Sequence, residues 1–271
     1  MNRIVEGIVG APVIFEELKH KPGRRLTLRA RGPTGSAIVK IYRSDRVARI
    51  AERISALADG PPEPEIPGVL AVDVSERVLV LSDLTGAPLR EAVLEANEVE
   101  CRRAGKAIAR WHRAWAHEPP AALAEHTIED ELAVLVDRAA MAPREIGARV
   151  AGALPSVRDA WTPDTVVHRD LYEEQVLLGE RVAMIDLDDV ALGPPELDVG
   201  NLVAHLDLLE LRSERDLAGS KAAFLEGYET VATLDPEVLE RCRTLARLRL
   251  ACIHCEPRLL DRSDTPALAE A

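Results

Sequence analysis

The apolar residues of this chain change their period near residue 85, and that change decides most of what the chain can fold into. Before it, hydrophobic positions alternate through VIFEEL, LTLRA, AIVKIY, GVLAVDV and RVLVLSDL, with a KPGRR turn and an RGPTGS loop between the first three segments. Two-residue alternation turns one side of a segment toward a core, which marks these as strands of a small antiparallel sheet. One stretch departs from the pattern. In SDRVARIAERISALADG, Val47, Ile50, Ile54 and Leu57 recur at helical spacing, with Ser44 placed to cap the helix and Gly60 to stop it. After Gly86 helical spacing takes over, from APLREAVLEAN and EVECRRAGKAIARWHRAWAH through TIEDELAVLVDRAAMA, PREIGARVAGAL and LDVGNLVAHLDLLEL to the SERDLAGSKAAFLEGYETV and PEVLERCRTLARLRLACIHCE segments. A short strand pair at TVVHRDL and QVLLGERVAMIDLDD interrupts the helices. The expectation is an α+β chain in two lobes: residues 1–84 as five strands with one helix, and residues 85–271 as a larger, mainly helical lobe.

Composition narrows the function classes. The chain has 271 residues, 47% of them apolar, which is enough to bury a sizeable core. No run of about 18 apolar residues and no N-terminal apolar leader is present, so the expectation is a cytoplasmic protein without a membrane span. Four cysteines are too few for a disulfide framework, and Cys252 and Cys255 read as ordinary buried thiols of an apolar helix. A net charge of −12 argues against nucleic acid as partner, because binding to phosphate backbones rests on a basic footprint. The acidic balance suits a cationic small molecule or serves solubility alone.

The chemistry concentrates in Val167-His168-Arg169-Asp170-Leu171, with Gln175 five residues after Asp170, followed by the strand Val182–Met184 and then Ile185-Asp186-Leu187-Asp188. This spacing resembles the catalytic and metal loops of kinases. Transfer of a γ-phosphoryl group asks a protein mainly for positioning and charge neutralisation. Asp170 is then the residue that orients an acceptor hydroxyl and takes its proton. Asp186 offers hard carboxylate oxygen to Mg²⁺, and Gln175 offers an amide oxygen to a second ion where asparagine is usual. Upstream, Lys40 sits between apolar residues on the third strand, placed to reach the α- and β-phosphates, and Glu52 on the following helix is its candidate partner. No glycine-rich phosphate loop precedes Lys40; the hairpin from His20 to Arg25 carries the cations available to replace it.

Taken together, His168-Arg169-Asp170, Ile185-Asp186-Leu187-Asp188-Asp189, Gly193-Pro194-Pro195 and Asp198 resemble the aminoglycoside phosphotransferase and choline-kinase-like family over essentially the whole chain. Arg169 stands where that family usually has glycine, and Gln175 where it has asparagine. The resemblance implies a two-lobed protein-kinase-like fold, ATP or GTP with Mg²⁺, and structural roles for His168 and Asp198 in bracing the catalytic loop. It also implies a nucleotide hinge around Val80–Leu84, with Ser82, Asp83 and Leu84 receiving the base among aliphatic side chains. Only eleven residues separate Asp186 from Asp198, which leaves no segment on which a peptide could lie. The expected partner is a small-molecule hydroxyl acceptor, met by carboxylates such as Asp188 and Asp189. That acceptor is an aminoglycoside or other antibiotic, or a metabolite such as an amino alcohol or sugar; a catalytically silent nucleotide-binding regulator is the competing class. Oligomeric state is not legible.

Overall fold

Both faces of one small sheet are covered, which explains why one of its inner strands, VLVLS, is an almost continuous apolar run. The computed structural model describes residues 1–261; the last ten residues of the lobe expected to reach 271 lie outside the described residues. The sheet is built from β1 (Ile14–Lys21), β2 (Arg25–Gly32), β3 (Gly35–Tyr42), β4 (Val69–Asp73) and β5 (Val78–Ser82), all antiparallel, in the order β1-β2-β3-β5-β4. Along β5, Val78 and Val80 pack with α1 (Asn2–Val9), and Leu79 and Leu81 pack with α2 (Val47–Ser55). A strand buried on both faces reads as a continuous apolar run.

The helix α1 was not legible as a separate element. Its apolar residues sit beside the first strand signal, yet Val5 and Val9 are fully buried against Ala30, Ala37 and Val39. The first lobe therefore has two helices where one was expected. The α2 helix forms as its spacing predicts, with Val47, Ile50, Ile54 and Leu57 all buried. Its N-cap is Arg46 rather than Ser44, and no side chain bonds the cap.

The second lobe begins with β6 (Ala87–Pro88), α3 (Leu89–Leu94) and α4 (Glu98–Trp115), continues through α5 (Ile128–Met141) and α6 (Arg144–Ala153), and reaches β7 (Thr165–Val167). Then come β8 (Val176–Leu178), β9 (Val182–Met184), β10 (Ala191–Gly193), α7 (Pro195–Ser213), α8 (Ala218–Glu229) and α9 (Pro236–His254). The expected strand pair is corrected in one respect: β7 does not pair with the strand that follows it. Its partner is β10, while β8 pairs with β9 and β6. The two small sheets hold the His168–Gln175 segment between them as a loop with fixed ends. The expected helix from Ser213 starts only at Ala218, because Glu214 turns into the left-handed region at φ 53° and closes α7.

One apolar cluster runs from Ile50 and Ile54 of α2 through Ile108 and Trp111 of α4 to Leu171 and Leu187 beside the chemistry-bearing loops. The lobes thus share a core. Cys101, Cys242 and Cys252 are buried thiols as expected, but Cys255 is exposed, since it leaves α9 in the left-handed conformation at φ 52°. Among the described residues, no helix is long and apolar enough to cross a membrane.

The tightest approach in the second lobe is between α4 and α8. A Cβ on Gly105 would overlap the carbonyl of Phe224, and one on Gly227 would overlap that of Arg102. Backbone cannot yield as a side chain can, so Gly105→Ala is expected to cost about 1–3 kcal/mol through overpacking. Differential scanning calorimetry should show a lower melting midpoint for Gly105→Ala, and an equal or slightly higher one for the exposed helical Gly152→Ala, where a Cβ meets nothing within 4 Å.

Candidate active site

Strand register places the cations of the cleft. Cross-strand pairs Arg25 with Tyr42, Thr27 with Lys40 and Arg29 with Ile38 bring alternate residues of β2 and β3 onto one face. That face lines a cavity of about 630 Å³ between the lobes. Lys40 is nearly inaccessible, and its Nζ donates to Asp186 Oδ1 and Asp188 Oδ1, each at 2.6 Å. Arg25 grips Asp186 with two bonds, Nη1 to Oδ1 at 2.9 Å and Nη2 to Oδ2 at 3.0 Å, and also bonds Asp188. The Tyr42 hydroxyl donates to Asp188 Oδ2 at 2.8 Å. Burial opposes a charge on Asp186, but Lys40 and Arg25 outweigh it and hold its carboxyl far below the usual carboxylate range. Burial together with Asp188 pushes the Tyr42 phenol far up, so it stays a neutral donor.

This arrangement changes two expectations. Glu52 lies exposed on α2 and makes no ion pair with Lys40, whose charge is met by Asp186 and Asp188 instead. The carboxylate sits on the outward face of the helix, one residue beyond the buried Ala51. Asp188, expected to face an acceptor, is buried under Lys40, Arg25 and Tyr42; Asp189 is exposed. Tyr42 was missed as a site residue, and Arg25 was read only as one of the hairpin cations that could meet phosphate, not as the partner of Asp186 and Asp188. The signal for them was present: with Lys40 fixed as a cleft residue, the two-residue alternation of β3 adds Tyr42, and the hairpin register adds Arg25.

Behind the cleft, Asp198 at the start of α7 accepts the backbone N–H groups of His168 at 2.7 Å and Arg169 at 2.8 Å. His112 Nε2 lies 3.1 Å from the same carboxylate, and His112 Nδ1 lies 2.8 Å from the Tyr228 hydroxyl. The His168 ring bridges the two loops. Its Nε2–H donates to Ile185 O at 2.8 Å, and Nδ1 accepts the Asp170 N–H at 3.3 Å, which specifies one neutral tautomer. Arg169 and Asp186 both take positive φ, 69° and 66°. A side chain at such an angle costs roughly 1–2 kcal/mol, so glycine is the easy residue at position 169. Here the two bonds from Asp198 hold the turn.

Asp170 is partly buried, and its carboxylate has no hydrogen-bond partner among the described residues. Burial raises its pKa above the ordinary carboxylate value, against the opposing pull of Arg249. It lines a second cavity of about 390 Å³, bounded by α7 and α9, and so stands between this space and the inter-lobe cleft. Gln175 is buried at the wall of the first cavity, which Asp186 also lines, and its Oε1 has no hydrogen-bond partner. An orphaned buried amide oxygen near a carboxylate is a hard-donor pair of the type Mg²⁺ takes. The residues present therefore fit that ion.

The hinge residues Ser82, Asp83 and Leu84 all line the first cavity, beside Ile38, Leu81 and Ile185. Ser82 is committed to Gly68, accepting its N–H on Oγ at 2.9 Å and donating its own N–H to Gly68 O at 2.9 Å. Asp83 is tied to Ser36 Oγ at 2.7 Å and Arg29 Nε at 2.9 Å. Leu84 makes no hydrogen bond to other backbone among the described residues.

A lysine on the third strand of a small sheet, two carboxylate loops on a helical lobe and a cavity at their junction define a phosphotransferase of the protein-kinase-like fold. The chain belongs to the phosphotransferase enzyme family known as APH, whose model matches residues 24–242. Aminoglycoside phosphotransferase APH(3'')-Id from Streptomyces rimosus is similar in fold at 21% identity and a TM-score of 0.65, over 92% of this chain and 97% of that one. A choline kinase from Cryptosporidium parvum superposes with a TM-score of 0.63 at 11% identity, over 92% of this chain and 84% of that one. Spectinomycin phosphotransferase APH(9)-Ia, solved with ADP and spectinomycin, gives a TM-score of 0.61 at 14% identity, over 97% and 88%. No curated protein matches the chain in sequence.

Because burial raises the Asp170 pKa, the folded chain binds that proton more readily than the unfolded chain does. Its ionisation therefore removes stability as pH rises from the ordinary carboxylate value through the raised one. Asp170→Asn, which keeps the shape without the charge, is expected to raise the melting midpoint at pH 7 by a few degrees and to leave it unchanged at pH 3. Equal midpoints for the two proteins at pH 7 would show the carboxylate to be well solvated.

Proposed function

We propose that this chain transfers the γ-phosphoryl group of ATP or GTP to a hydroxyl of a small molecule bound beside Asp170. The observation that carries the reading is the position of Asp170: an unpartnered, partly buried carboxylate that lines both the cavity beside α7 and α9 and the space bounded by Arg25, Asp186 and Asp188. The nucleotide base is assigned to the Ser82–Leu84 end of the first cavity against aliphatic side chains, with Leu84 offering its free backbone groups. Lys40 and Arg25 lie at the other end, where phosphate oxygens belong. Asp186 and Gln175 would hold Mg²⁺, which supplies charge neutralisation to the phosphates when bound.

In the transfer, Asp170 orients the acceptor hydroxyl and accepts its proton. The hydroxyl oxygen forms the new bond to phosphorus, the bond to the β-phosphate bridging oxygen breaks, and the nucleoside diphosphate leaves with that electron pair. The acceptor is small. Between Asp186 and Asp198 the chain is filled by a turn at Leu187–Asp189, by β10 and by the first turn of α7, so no segment is left to seat a peptide.

The test is release of nucleoside diphosphate with Mg²⁺ and ATP or GTP over a panel of hydroxyl compounds, including aminoglycosides, sugars and amino alcohols. Acceptor-dependent release is expected, reduced about 10²–10⁴-fold in kcat by Asp170→Ala, the usual range for a general base. Nucleotide binding without release on any acceptor would favour the silent regulator. The acid limb of kcat/KM should lie above the pKa of a free aspartate, because activity is lost as pH falls through the raised Asp170 value. Arg249→Met removes a cation that opposes that rise, so its limb should move to higher pH. A limb that stays in place would separate Arg249 from the base.

A further inference from the structure

The second cavity has a sign opposite to that of the chain. The protein carries a net charge of −12, yet five cationic side chains line this space against three carboxylates. Two of the three share a single cation. Glu173 and Glu174 both face Arg90, at 3.7 and 3.5 Å, and the third is Asp170 itself. Among the cations, Arg249 is bound by Glu131 at 2.8 Å. That leaves Lys19, Lys21 and Arg212, none of which has an ion-pair partner among the described residues; Lys19 only donates to the Tyr172 hydroxyl at 3.3 Å. Lys21 is half buried, and burial with the neighbouring Lys19 and Arg25 charges lowers its pKa against the opposing pull of Asp186 and Asp170.

The remaining wall is neutral. Tyr172 and His205 stack with ring centres 4.8 Å apart, and burial brings the His205 pKa down to about 3, so the imidazole carries no charge at neutral pH. Leu209 adds an apolar surface beside them. A cationic acceptor would meet three cations without an ion-pair partner here, against Asp170 and the one negative charge that Arg90 leaves on the Glu173–Glu174 pair.

Resting on the phosphotransferase reading above, we propose that the acceptor is an anionic hydroxy compound, with its hydroxyl at Asp170, its carboxylate or phosphate among Lys19, Lys21 and Arg212, and its carbon frame along Tyr172 and His205. The bonds made and broken are those of the transfer already described; the anionic group is held and takes no part in them. Arg212 is the discriminating residue, because it borders this cavity and not the inter-lobe one.

The experiment compares acceptors in four arms under the same diphosphate-release assay: hydroxy acids (glycerate, gluconate, phenyllactate), phosphorylated polyols (glycerol 3-phosphate, glucose 6-phosphate), neutral polyols (glycerol, glucose) and cationic alcohols (choline, kanamycin). Turnover in the first or second arm is expected, and which of the two responds separates carboxylate from phosphate. Arg212→Glu should raise KM for the active acceptor about 10- to 100-fold, the loss of a charge-assisted contact, with a smaller effect on kcat. ATP binding by titration calorimetry, run on the same variant, reports whether it has folded, and Arg212→Lys should recover most of the affinity. Turnover confined to the neutral or cationic arms, abolished by Asp170→Ala, would overturn the anionic acceptor and leave the kinase standing. ATP binding with no turnover in any arm, and no thermal stabilisation by any of the anions, would overturn both.

Discussion

Everything at the centre of this molecule depends on the charge cluster formed by Lys40 and Arg25 with Asp186 and Asp188. These groups are drawn from opposite lobes, the cations from the sheet and the carboxylates from the loop after β9. Removing charges from water is costly, and an unpaired member of such a cluster would be unfavourable by about 3–5 kcal/mol. The cluster therefore fixes the relative placement of sheet and loop: if the lobes separate, four charges lose their partners together. It also divides the two carboxylates by role. Asp188 is sealed under Tyr42 and serves as an anchor, while Asp186 keeps a face toward the cleft.

The loop that carries Asp170 is held from behind by backbone bonds rather than by its own propensity. Asp198 takes two N–H groups of the turn, and Asn201, one helical turn later on α7, donates its Nδ2 to Leu171 O at 2.8 Å. Asn201 Oδ1 accepts from Arg249 of α9 at 2.5 Å, and Arg249 is bonded in turn by Glu131 of α5, which also holds His126. Burial disfavours the Glu131 charge, but Arg249 and His126 bring its pKa down to about 2. Three helices thus converge on one loop through a chain of charged bonds. A carboxylate fixed in this way holds its position without any bond to its own oxygens.

The sequence discloses the fold well because several of its elements carry a clear period: alternation through Leu26, Leu28 and Ala30 of β2, and apolar spacing of three and four in α2 and α4. It fails where the period is shared. The short helix α1 lies against the first strand signal, and β7 and β10 are three residues each, too short for any period to register. In the site, the loop residues were readable because function there depends on residue type at fixed spacing along the chain. Tyr42, and the pairing of Arg25 with Asp186 and Asp188, were not, since both are set by strand register, a relation between segments. Glu52 was misread for the converse reason: helical periodicity places it at the edge of an apolar face, but the actual partner of Lys40 lies more than a hundred residues away.

Overall charge proved the weakest of the sequence signals, for a physical reason. Most carboxylates of this chain are on solvated surfaces, where screening over about 8–10 Å at moderate salt limits their reach. A ligand in a cavity responds first to the few side chains around it, which lie closer than that screening length. A net of −12 therefore places no constraint on the sign of a pocket. Here the cations are supplied by β1 and by α7 and α9, elements far apart in sequence that meet only in the folded chain. Such a sign reversal needs the fold to create it, and it gives the acceptor site a selectivity that no count of acidic and basic residues contains.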